Sequence, residues 1–164
     1  MRSGQMDKVV TLKEKIVTTN DYGEAIETWI PLVKVGTEIS SGKLTIGVTY
    51  QITATTLNYF GTGRVQYDVF VATAETTLNA SNKVKIVSLP HQVWAERREL
   101  KGAEKWAAQQ VVANIACKYR IRYRDDVGPL DMLIDAAGRE YDIQSAIELG
   151  RREGLELTVT ARGE

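Results

Sequence analysis

The chain contains one cysteine and one histidine in 164 residues, no surplus of charge of either sign, and no long apolar run. A single cysteine, Cys117, excludes an internal disulfide and any multi-cysteine metal site. It falls on the apolar side of an alternating segment, which reads as a buried, inert thiol. The single histidine, His91, sits beside Pro90 without a serine or cysteine motif near it, so it reads as an exposed loop residue, not a catalytic base. Lys plus Arg equals Asp plus Glu, 21 of each, and the formal net charge is zero. That argues against a general nucleic-acid binder and leaves little self-repulsion to oppose assembly. The opening MRSGQMDKVV lacks the apolar centre of a signal peptide, and no segment approaches the roughly 20 apolar residues of a membrane span. The expected setting is a reducing cytoplasm, at least until the chain joins something larger. The sequon Asn79-Ala80-Ser81 then reads as chance. No cofactor or metal set is indicated. Asp125, Asp126, Asp131 and Asp135 do not fit an EF-hand, and Gly61-Thr62-Gly63-Arg64 lacks the ending of a phosphate loop.

What is present is strand periodicity. The length suits one ordinary domain, or a small domain carrying an insertion, and 43% hydrophobic with 26% charged residues is the composition of a soluble globular protein. Val10, Leu12 and Ile16 share one parity, with Thr11, Lys13 and Lys15 on the other. Asn20-Asp21-Tyr22-Gly23 is turn chemistry, and a second strand follows from Ala25 to Ile30 with Trp29, ended by Pro31. From Lys34 the composition turns to Thr, Ser, Gly and Asn. Val48, Tyr50, Ile52 and Ala54, then Tyr67, Val69 and Val71, then Val84 and Ile86, alternate with polar residues. This predicts an inserted antiparallel β module at 34–90, its small core supplied by its tyrosines with Phe60 and Phe70. The flanking segments 1–33 and 91–164 form the main body.

Val93-Trp94-Ala95-Glu96 reads as a strand leading into a charged turn, Arg97-Arg98-Glu99, with Trp94 and Trp106 as core residues. Ala103, Trp106, Ala107, Gln110 and Val111 fall at helical spacing and predict one short helix. At Val111 the period changes to two. Val111, Ala113, Ile115, Cys117, Tyr119, Ile121 and Tyr123 take one face, and Lys118, Arg120, Arg122 and Arg124 stand on the other, about 6–7 Å apart. Asp131–Asp135 and Glu140–Ile147 are two strands joined by a glycine hairpin, and Leu155 to Ala161 is the last strand. The fold class is mainly β: a small antiparallel β-barrel or sandwich with one short helix, plus the inserted β module. The cationic row, with Arg97, Arg98 and Glu99, is the candidate subunit or partner interface. Its plain alternative is a solvated face paired with carboxylates of adjacent strands such as Glu140 and Asp142.

Met6-Asp7-Lys8-Val9-Val10-Thr11-Leu12, Asp21-Tyr22-Gly23-Glu24 and Trp29, followed by Val93-Trp94-Ala95-Glu96-Arg97, Gly102-Ala103-Glu104, Arg122-Tyr123 and Gly138-Arg139-Glu140-Tyr141-Asp142-Ile143, resemble the tailed-phage head-closure (head–tail joining, connector) family in order and spacing. The resemblance covers about 5–32 and 92–162; the segment at 34–90 departs from compact members. It implies a non-enzymatic virion component: a homo-oligomeric ring, typically of twelve subunits, between the portal–adaptor complex and the tail. Such a ring closes the channel over packaged DNA without reading its sequence, and gives the tail its docking surface. The inserted module is expected to point outward from that ring. A tail-completion or tail-terminator ring protein is the near alternative. A soluble carbohydrate- or peptide-binding β module, which would need exposed aromatics in a groove, is the alternative of a different class, ahead of an enzyme of unknown type.

Overall fold

The computed structural model describes residues 6–20, 22–56, 59–60, 63–100 and 115–162, with the backbone alone at 115 and 116. Eleven strands are present: β1 (Lys8–Thr19), β2 (Ala25–Pro31), β3 (Lys34–Ile39), β4 (Thr49–Ala54), β5 (Val69–Val71), β6 (Lys83–Leu89), β7 (Gln92–Arg98), β8 (Ile115–Arg122), β9 (Met132–Ile134), β10 (Glu140–Leu149) and β11 (Gly154–Ala161). Among the described residues there is no helix; the helix expected after Gly102, with Trp106, lies outside them. The chain divides into two compact units, one of Met1–Leu32 with His91–Glu164, the other of Val33–Pro90.

In the first unit β1, β7, β8, β11, β10 and β9 pair in turn, and β9 returns to β1. Six antiparallel strands therefore close a barrel, which leaves no free edge within the ring. The length of β1 makes the closure possible. Its first residues, Lys8–Thr11, pair with β7, while Lys13–Thr19 pair with β2 as a ribbon carried outside the ring. Leu12 is the handover point. Its N–H donates to the His91 carbonyl at 2.8 Å, and its own carbonyl accepts the Leu32 N–H at 3.0 Å. The chain leaves the barrel unit and re-enters it against the same residue.

Period-two alternation decides what fills the barrel. Cys117, Tyr119 and Ile121 of β8 point inward with Leu155, Leu157 and Val159 of β11, Tyr141 and Ile143 of β10, and Val10 and Leu12 of β1. Each fully buried Leu- or Ile-sized side chain contributes roughly 1.5–3 kcal/mol. Among the described residues the interior of the barrel is a packed core and not an open channel. The predicted β9–β10 hairpin is present. Asp135 Oδ1 accepts the N–H groups of Ala137 and Arg139 at 2.8 and 3.0 Å, and Gly138 takes the positive φ (+80°) that the turn needs.

The second unit is a four-stranded antiparallel sheet in the order β3-β6-β4-β5. Tyr50, Ile52, Phe60, Phe70, Leu44, Leu78 and Val84 form its core, with Phe70 packed on both Tyr50 and Phe60. The alternation expected from Tyr67 to Val71 is inverted at its end: Phe70 points inward and Val71 outward, because Tyr67 lies before the strand in a turn at φ +71°. The strand β3 has no sequence signal and is held by pairing with β6, beginning at Lys34 opposite Leu89. The two ends of this unit are thus neighbours as well.

Candidate subunit interface

The outer wall of the barrel carries a lattice of charges at β7, β8 and β11. Backbone register sets Glu96, Arg120 and Glu156 side by side across the three strands, and Arg98, Lys118 and Thr158 in the next row on that face. Glu156 is the hub. It accepts Lys118 Nζ at 3.0 Å and Arg120 Nε at 2.8 Å, while Arg98 Nε lies 3.5 Å from Glu96. Burial opposes the charge on Glu156, but the hydrogen bonds from Arg120 and Lys118 outweigh it and hold its pKa below the ordinary carboxylate value. Arg97, Arg98, Glu99, Lys118 and Arg120 line one cleft of about 550 Å³ together with Glu96 and Glu156. Five of the seven residues of the expected interface are therefore brought together.

The other two are not part of that cleft. Arg122 is exposed further along β8, opposite Gly154. Arg124 lies beyond the end of β8 and is buried, only 5% exposed, so the expectation that it completes a presented row is corrected. Its guanidinium pairs with Asp126 (Nε–Oδ1 2.8 Å, Nη2–Oδ2 2.6 Å) and donates to the Leu32 carbonyl at 3.3 Å. Once β8 ends, alternation no longer dictates direction, and a carboxylate two residues away turns the side chain inward. Two more expectations change. Arg97 and Arg98 belong to β7 and not to a turn, because they pair with Tyr119 and Lys118 of β8. The carboxylate that neutralises the cationic row is Glu156; Glu140 and Asp142 face Arg162 instead, at 3.7 and 3.1 Å. Arg162 also lies over the Trp29 ring, 4.8 Å from its centroid.

His91 is half-buried, not an exposed loop residue, and its Nδ1 has no hydrogen-bond partner among the described residues. Burial, with the charges of Arg124 and Lys13, pushes its pKa down and keeps the ring neutral. Among the described residues no group of three or more His, Cys, Asp or Glu is placed to hold a metal. Cys117 is fully buried, and burial pushes its thiol pKa up.

With this geometry established, the family model of the phage head completion proteins matches residues 39–162. The chain belongs to that family. The family is a structural one, a bacteriophage virion component that meets other head and tail proteins, and not an enzyme class. The matched stretch of this head completion protein begins inside β3 and runs through the second unit, leaving β1 and β2 outside it. The segment at 34–90 thus falls largely within the family's matched stretch. The solution structure of protein SF1141 from Shigella flexneri 2a has a similar fold, with a TM-score of 0.51 over 100% of this chain and 99% of that chain at 16% identity. A search of curated proteins finds no match.

Two residues of this head completion protein escape a sequence reading. Trp94, expected in the core, is 60% exposed on the outer wall. Its parity with Glu96 and Arg98, opposite to buried Ala95, is the signal that size obscured. Leu130 is 80% exposed and stands at φ +81°. Pro129 followed by a positive φ marks a type II turn, whose third position normally holds Gly or Asn. An exposed leucine kept in that conformation costs backbone energy without gaining burial.

Proposed function

We propose that this head completion protein forms a closed ring at the portal vertex, between the portal–adaptor complex and the tail. The ring shuts the DNA channel after packaging and presents the tail with its docking surface. The observation that carries this reading is the family match over 39–162. The filled barrel supports it in one respect: with the barrel interior packed among the described residues, the channel is one formed among subunits.

Ring closure joins two different patches, one from each neighbour. One patch is the outer wall, where Trp94 stands among Glu96, Arg98 and Arg120, an aromatic anchor within a field of alternating charge. The other is the β1–β2 ribbon, whose outer strand edge is unpaired among the described residues and which exposes Val17 and Ile26. Contact with the packaged DNA is sequence-independent, and the zero net charge of the chain leaves no general affinity for DNA beyond the channel. Assembly takes place in the host cytoplasm. The test is to mix purified protein with portal-bearing, DNA-filled heads and image the vertex. Addition of a ring, followed by tail joining, is expected. Tails joining heads without a ring being added overturns the proposal.

A further inference from the structure

The mouth of the barrel, where β1 and β8 begin and β7 and β9 end, holds a cavity of about 300 Å³ that shares only Arg97 with the cleft of the outer wall. Lys8, Arg97, Arg139, Asp135 and Tyr119 line it. Arg97 is the inward-parity residue after buried Ala95, placed opposite Tyr119 where the strand runs out of barrel. Tyr119 is 1% exposed, yet its hydroxyl has no hydrogen-bond partner among the described residues. A buried hydroxyl left unmatched costs about 1–3 kcal/mol, so its presence calls for an acceptor.

The acceptor is not Asp135. Its Oδ1 takes two backbone N–H groups, and its Oδ2 takes Arg139 Nε at 3.0 Å and the Tyr141 hydroxyl at 3.4 Å. Lys8 pairs with Asp7 at 3.2 Å, but both side chains are more than half exposed, and such pairs exchange readily. The groups that act on Arg97 are the Cys117 thiol and the phenols of Tyr119 and Tyr141, with no carboxylate among them. Three cations stand against one committed carboxylate, and the acceptor within reach of Arg97 and Tyr119 is the Cys117 thiol, a weak one, so the donors lack a charged partner. We propose that this mouth is a binding site for a single carboxylate side chain presented by a neighbouring protein. Arg97 grips the group bidentately, and the Tyr119 hydroxyl donates to it from below. A cavity of about 300 Å³ matches the size of one side chain, and a chain of zero net charge has no general attraction for a polyanion, which favours an acidic peptide over DNA. That the peptide comes from another virion protein rests on the head-completion reading; the anion site rests on the geometry alone.

A titration of the isolated, isotope-labelled protein separates the two. The probe is a blocked Gly-Glu-Gly tripeptide, followed by NMR at the Arg97 and Arg139 Nε–H and Tyr119 resonances. Saturable shifts in the millimolar range are expected, with about tenfold weaker binding in Arg97→Gln and about threefold in Tyr119→Phe. Arg151→Gln, in the turn between β10 and β11 at the opposite end, is expected to bind as the unaltered protein does. The same response to Gly-Gln-Gly, no saturation, or an unchanged affinity in Arg97→Gln overturns the site. Tighter binding of a short single-stranded oligonucleotide at the same resonances overturns the choice of ligand. None of these outcomes bears on whether the chain adds to heads.

Discussion

Two single residues separate folding from function. Leu130 holds a left-handed conformation that costs a side-chain-bearing residue roughly 1–2 kcal/mol, and its exposed side chain recovers little of this. Leu130→Gly is therefore expected to raise the unfolding free energy by about 1 kcal/mol, less the entropy of a more flexible unfolded chain. Urea melts of the two proteins check it, and a destabilised variant refutes the strain. Glu156 acts through charge. Its folded pKa lies below the unfolded one, so its contribution is complete above about pH 4.5 and is lost as pH falls through the lowered value. Glu14 and Asp131 oppose it. Burial, joined by the nearby Asp126 charge, raises their pKa values, so they favour unfolding at neutral pH and are relieved as pH falls towards those raised values. Glu156→Gln is expected to cost about 1–2 kcal/mol at pH 7 and much less near pH 3. Urea melts at both pH values check it, and an equal cost at both would leave the ion pairs without a role. These side chains mark where the sequence could be read. Lys118 and Arg120 were legible because alternation fixes direction inside a strand. Arg124 was not, since it lies past the strand end and its direction depends on Asp126. Trp94 is hard to read because its size suggests burial while its parity with Glu96 and Arg98 places it outside.

At the scale of elements, β1 explains how one chain forms two units. Its single residue Leu12 bonds both Leu32 and His91, and the second unit's own ends meet at Lys34 and Leu89. Excising 33–90 therefore opens no gap in the barrel's backbone ladder. Replacing the segment with a short Gly/Ser linker is expected to leave the first unit folded, because its core residues all lie in 10–32 and 93–159. The check is a dispersed amide spectrum and a cooperative melt; a molten, non-cooperative product would show that the barrel needs the segment. The β9–β10 hairpin and the strand β11 were readable from glycine placement and alternation. Barrel closure was not, because it depends on β1 pairing with β7, β9 and β2 over different parts of its length, and no local pattern encodes such a division. The strand β3 was equally hidden, since pairing with β6 and not its own composition makes it a strand.

For the whole molecule, a protein whose core is full and whose net charge is zero has its outer surface left for function. Trp94 gives the sharpest test of what that surface does. An exposed tryptophan on a convex wall contributes little to stability, so Trp94→Ala is expected to change the melting temperature by only a few degrees. At a subunit contact the same side chain is a candidate anchor, whose loss typically costs about 2 kcal/mol or more per interface, repeated around a closed ring. Trp94→Ala and the charge reversal Arg98→Glu are therefore each expected to abolish ring addition to DNA-filled heads while the isolated protein stays folded. Arg122→Glu, exposed on the same strand face but outside the cleft, is expected to weaken addition less. Electron microscopy of the vertex, alongside thermal melts, measures both effects. Rings forming normally with Trp94→Ala would take the contact off this wall and overturn the pairing of wall with ribbon, and replacing Val17 and Ile26 would then test the β1–β2 ribbon by itself.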